Sequence, residues 1–137
     1  MKNNIKILLI DDNKTFLLIT EALLKKDEII TDKDTLNTLT SVSELSEKEL
    51  LDLTQYDVII CDYNLEERLT GLDFLKILDK FKFIGLKILL TSDESYDLHA
   101  RIRREDIKYV TKNINIGEHS TNSILGDIIK KYRNSTI

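Results

Sequence analysis

Four short apolar runs rich in β-branched residues constrain this chain more than any other feature: Ile5 to Ile10, Asp57 to Cys61, Leu86 to Leu90 and Ile107 to Val110. Their apolar residues fall on both alternating sets of positions, which suits parallel strands covered on both faces rather than strands with one wet side. Between them the spacing turns helical, through Phe16, Ile19 and Leu23, then Leu72, Leu75 and Leu78, and near the end Ile124, Ile128 and Tyr132. The stretch from Asp27 to Gln55 is less regular. Leu36, Leu39 and Val42 in Thr-rich surroundings predict a weak strand over about Leu36 to Val42, and Ser46-Glu47-Lys48-Glu49 reads as a capping box opening a short helix through Leu53. The turn Ser92-Asp93-Glu94-Ser95 precedes a charged segment, Tyr96 to Arg104, whose Leu98 and Ile102 lie one turn apart, which predicts a mostly solvated fourth helix.

Five strands alternating with five helices predict an α/β fold, a doubly wound five-stranded parallel sheet in the flavodoxin-like order 2-1-3-4-5. Parallel neighbours need crossover connections, and these cover both sheet faces. At 137 residues and 42% hydrophobic content the chain fits a single domain, 1–137, that buries a core without disulfides. No Pro/Gly-rich linker or repeat divides it, and the expected last helix leaves no room for an output domain.

The lone Cys61 cannot pair internally and no leader-type segment opens the chain, which predicts a cytoplasmic protein. The apolar runs are far shorter than the roughly 20 residues a membrane span requires, so no membrane association is expected. With 24 acidic against 20 basic residues, net −4, the chain offers no general attraction to nucleic acid phosphates.

Ligands of open α/β sheets bind outside the carboxyl ends of the strands, so the first polar residue after each run is the one to inspect. These are Asp11-Asp12, Asp62, Thr91-Ser92 and Thr111-Lys112. Three carboxylates cannot gather ionised without a cation, and an oxygen-only set suits Mg²⁺, with Lys112 adding positive charge. A carboxylate can attack phosphorus to give an acyl phosphate, whose oxygens a metal and a lysine would neutralise and a Thr91 hydroxyl would hydrogen-bond. Taken singly, each residue has a plainer reading: an Asp pair is a common helix N-cap, Lys112 a surface lysine, and Tyr109 a packing aromatic.

Asp11-Asp12 after the first run, Asp62 after Val58-Ile59-Ile60-Cys61, Thr91-Ser92, and Tyr109-Val110-Thr111-Lys112 together resemble the receiver domains of response regulators over nearly the whole chain. The resemblance implies a stand-alone signalling switch, not an enzyme turning over a small substrate. Asp62 would be the phosphoacceptor. Asp12 would bind Mg²⁺ directly, Asp11 mainly through water, and Asn64 through its backbone carbonyl. Thr91 and Lys112 would contact the phosphoryl group, and Tyr109 would move inward when Thr91 shifts. The implied partners are a histidine kinase or phosphotransfer protein as donor and a downstream protein target, with phosphorylation-dependent homodimerisation also open.

The sequence departs from that pattern in places. Asn113 follows Lys112 where the family has a cis-linked proline, and the chain has no proline at all. A non-proline cis bond costs roughly 3 kcal/mol, which predicts a trans bond and a reshaped loop. The segment from Asp62 to Gly71 is one residue longer than usual, and about six extra residues lie around Asp27 to Asp34, away from the acidic end. Two rivals stay open: a degenerate receiver acting as a constitutive binding module, and a Mg²⁺-dependent phosphatase on a similar sheet, although Asn64 stands where such a phosphatase carries its second acid. His99 and His119 are expected to be solvated, Cys61 to be a buried hydrophobe, and Arg101 to Asp106 to be a solvated helix end or part of a partner surface.

Overall fold

A computed structural model describes residues 2–92, 95–112 and 120–135. The Lys112-Asn113 bond, the loop after it and His119 lie outside the described residues, as do Asp93 and Glu94. The chain alternates β1 (Lys6–Ile10), α1 (Lys14–Lys26), β2 (Thr35–Leu39), α2 (Glu47–Leu53), β3 (Val58–Asp62), α3 (Gly71–Lys80), β4 (Leu86–Thr91), α4 (Tyr96–Arg104), β5 (Lys108–Thr111) and α5 (Thr121–Ser135). The strands form one parallel sheet in the order β2-β1-β3-β4-β5, as the alternation predicts. No helix among the described residues is long and apolar enough to cross a membrane.

Alternate strand residues feed two cores. Ile7, Leu9, Val58, Ile60, Ile88 and Leu90 pack under α1 and α5. Leu8, Ile10, Ile59, Cys61 and Leu89 pack with Leu72, Phe74, Leu75, Leu98 and Ile102 on the opposite face. Burial of this kind contributes roughly 1.5–3 kcal/mol per large side chain. Cys61 is fully buried, and burial pushes its thiol well above the usual range, so it serves as a small hydrophobe.

One helix face differs from expectation. On α1 the buried set is Phe16, Leu17, Thr20 and Leu24, and Ile19 is exposed. On α5 the expected Ile124, Ile128 and Tyr132 are partly buried and pack against the core beside the fully buried Leu125 and Ile129. Helix α1 carries adjacent apolar stripes, and the sheet selects which one turns inward, whereas on α5 both face the core. The second strand stops at Leu39 rather than Val42, yet Val42 is buried in the α3-side core. The Ser46 capping box of α2 is present as predicted.

The additional α1–β2 segment is anchored. Glu28 takes φ 60, Ile29 and Ile30 turn inward, and Asp34 accepts from the amides of Ile5 (2.8 Å) and Thr31 (2.9 Å). It closes at the amino end of β1, opposite the acidic end of the sheet.

Candidate functional site

At the carboxyl ends of the strands the sheet ladder continues into the candidate residues and fixes their backbones. The Asp11 amide donates to Leu39 (3.1 Å), the Tyr63 amide to Leu90 (2.7 Å) and the Lys112 amide to Thr91 (3.0 Å). The Asp pair is not a helix cap, because Asn13 caps α1 by accepting from the Phe16 amide at 3.1 Å. That leaves both aspartates available at the strand end, with one oxygen of Asp11 accepting from the Asn13 amide at 2.8 Å.

Ligand oxygens of Asp11, Asp12 and Asp62 all lie within 4.8 Å of one another. Lys112 Nζ donates to Asp11 Oδ2 at 2.6 Å and stands 3.5 Å from Asp62 Oδ2. Asp11 is fully buried and Asp62 only 6% exposed. Burial first, and the Asp11 charge second, push the Asp62 carboxyl up to about 6 against the pull of Lys112. Asp12 is raised as well, by burial and the adjoining Asp11 carboxylate. Burial alone would lower the Lys112 ammonium, but its bond to Asp11 and the charges of Asp62 and Asp11 raise it above the usual lysine value.

Three carboxylates against one ammonium leave an excess of negative charge in a confined, oxygen-only site. The donor chemistry fits a hard divalent cation such as Mg²⁺. Beside the cluster a cleft of about 200 Å³ is lined by Asp62, Tyr63, Asn64, Thr91 and Ser92. The predicted Thr91 and Asn64 therefore both border Asp62.

The longer loop after Asp62 is accommodated by two devices that sequence reasoning missed. Glu66 turns the chain at φ 54. The Glu67 carboxylate accepts from the Ser41 hydroxyl and from the amides of Val42 and Ser43 (3.3 Å each), clasping the β3–α3 loop to the segment after β2. Burial would raise Glu67, but these donors hold it below the usual range. Glu67→Ala is expected to lower stability by about 1 kcal/mol, seen as a lower urea midpoint. At the loop's end Gly71 donates its amide to the Tyr63 carbonyl at 2.8 Å, and a Cβ there would fall 2.1 Å from the Asp62 carbonyl oxygen. Only glycine lets α3 start this close to the acidic strand end.

Tyr109 pairs in register with Leu89 and is 39% exposed. His99, expected to be solvated, is half-buried and stacks on the Tyr109 ring with centroids 4.3 Å apart and planes at 28°. The pair lies ten positions apart across a helix-to-strand connection, so no local spacing announces it. Leu98 and Ile102 do turn inward, while Arg101, Arg103 and Arg104 are exposed on α4.

Residues 7–122 match the family model of the response regulator receiver domain. Among solved structures, a response regulator receiver domain protein from Clostridium thermocellum is similar at 25% identity and TM-score 0.70, covering 95% of this chain and 94% of that one. A response regulator receiver protein from Pseudoalteromonas atlantica aligns at 18% identity and TM-score 0.69, with 94% and 97% covered. The beryllofluoride-activated DrrB receiver domain aligns at 20% identity and TM-score 0.69, with 98% and 99% covered. No curated protein matches by sequence.

Proposed function

The chain belongs to the response regulator receiver domain family, and from that membership we propose that residues 1–137 form one phosphorylation switch whose acceptor is Asp62. The observation that carries this reading is the meeting of Asp62 with Asp11 and Asp12 within 4.8 Å, under a lysine that reaches both Asp11 and Asp62.

In the proposed step an Asp62 carboxylate oxygen attacks the phosphorus of a phosphohistidine on a kinase or phosphotransfer protein. The O–P bond forms as the P–N bond breaks, and the electron pair leaves on the imidazole nitrogen. Lys112, 3.5 Å from Asp62 Oδ2, would meet the charge that moves onto the phosphoryl oxygens, and Thr91 lines the cleft they would occupy. Asp11, Asp12, Asp62 and the Asn64 carbonyl would hold Mg²⁺. The chemistry that ion supplies when bound is neutralisation of the transferring group's charge.

For the readout, Thr91 drawn toward the phosphoryl group makes room for the Tyr109 ring, which leaves its stack on His99. The α4–β5 face presented to a downstream protein target then changes. A few charge-assisted hydrogen bonds are enough to bias such a two-state element.

The test is incubation with Mg²⁺ and acetyl phosphate, read by intact mass. The wild type is expected to gain one phosphoryl group and Asp62→Asn none. Equal uptake by both would place the acceptor elsewhere, and continuous phosphate release from unrelated esters would favour the phosphatase rival. Beryllofluoride should shift the fluorescence of Tyr109, and loss of that shift in Thr91→Ala would support the coupling.

A further inference from the structure

Lys112 is held by more than carboxylates. Its Nζ lies over the Phe16 ring, 4.3 Å from the centroid, inside the roughly 6 Å range of cation–π attraction. Phe16 is 8% exposed on the first turn of α1, and its amide is fixed by the Asn13 cap, whose own amide is fixed by Asp11. The contacts close a circle: Asp11 to Asn13, Asn13 to Phe16, Phe16 to Lys112, and Lys112 back to Asp11.

We propose that Phe16 is a positioning residue for the phosphoryl-transfer step, its ring face holding the Lys112 ammonium over the acidic strand ends. This rests on the reading of Asp62 as acceptor. A lysine is a point charge on a flexible stem that gains rotamer freedom by turning to water. Asp11 restrains it, but Asp11 is also a candidate cation ligand, and a carboxylate shared with a divalent ion holds a lysine less strongly. A hard cation takes oxygen ligands and does not compete for a ring face. Phe16 is thus the partner that keeps its grip when the carboxylates are engaged.

Phe16 also belongs to the α1-side core, so the test must alter the ring's charge distribution while keeping its size. Mono-, di- and trifluorophenylalanine at position 16 withdraw electron density from the ring face in steps. The rate of phosphoryl uptake from acetyl phosphate should fall in the same order, by about three- to tenfold at the last step, with the thermal midpoint nearly constant. Phe16→Leu should fall as far, and Phe16→Tyr should retain the rate. A rate flat across the fluorinated series and in Phe16→Leu overturns the proposal and leaves Phe16 as core packing.

The fluorine resonance of the monofluorinated ring provides a readout without any phosphodonor. Lys112→Met should displace it, and an unmoved resonance overturns the contact itself. The two failures are distinguishable: absence of uptake by the unmodified protein overturns the acceptor reading, whereas uptake indifferent to the ring overturns only the role of Phe16.

Discussion

Arg133→Ala is expected to lower the unfolding free energy by about 3 kcal/mol, seen as a lower urea midpoint with little change in slope. Arg133 grips Asp34 with both arms of its guanidinium, Nη2 to Oδ2 at 2.6 Å and Nη1 to Oδ1 at 3.1 Å. The same group donates to the carbonyls of Lys2 (3.1 Å) and Ile29 (3.0 Å). One side chain therefore ties the chain's start, the additional α1–β2 segment and the last helix together. The Asp34 side chain has no exposed surface. Burial would raise its carboxyl, but Arg133 and the amides of Thr31 and Ile5 hold it below the usual range. Removing the guanidinium leaves a buried carboxylate with only neutral partners, the amides of Ile5 and Thr31 and the Thr31 hydroxyl, the situation in which breaking an ion pair is most costly. Arg133→Lys should recover part of the loss, since an ammonium cannot make the forked contact. A midpoint unchanged in Arg133→Ala would show that Ile29 and Ile30 packing and the amide bonds to Asp34 hold the segment without the guanidinium.

That clamp also shows where the sequence stops being readable. Four of the strands are legible because each is a local run, whereas the edge strand β2 has none, and the handedness of the crossovers narrows the sheet order to a few. The gathering of Asp11, Asp12, Asp62, Thr91 and Lys112 is legible for the same reason, since each stands at or just past the carboxyl end of a strand. Arg133 and Asp34 are 99 positions apart and carry no mutual signal. Likewise β2 ends at Leu39, opposite the last residue of β1, and beyond it the amides of Val42 and Ser43 are taken by Glu67, a residue belonging to another loop. Phe16 reads as one more apolar residue on an amphipathic helix until β5 brings Lys112 over its ring. Periodicity misplaces Ile19 on α1 because that helix offers two adjacent apolar stripes, and only the sheet it covers distinguishes them.

The second large effect arises from the electrostatics of the acidic end. In metal-free protein, stability is expected to fall by about 2 to 3 kcal/mol between about pH 4 and pH 7 through Asp62 alone. The Asp62 carboxyl titrates at about 6 when folded, against an ordinary value of 3.8. Across the interval between those values the folded state binds more protons than the unfolded state. Stability therefore declines as pH rises, and the penalty is fully developed once pH exceeds the folded value. Asp12, also raised, adds in the same sense. Asp34 and Glu67, both lowered, act in the opposite sense and mostly at or below the acid edge of this window.

Asp62→Asn removes the titrating group while keeping its shape. With a chelator present, the variant should be more stable than wild type at neutral pH and nearly equal at the acid end of the window. Urea melts at the two pH values measure the difference. Added Mg²⁺ should reverse the order, because a cation that binds only the folded wild type stabilises it by mass action, whereas the variant has lost one of the three carboxylates. Parallel pH profiles for the two proteins would mean that Lys112 already compensates the cluster and that no electrostatic strain is left for a cation to relieve.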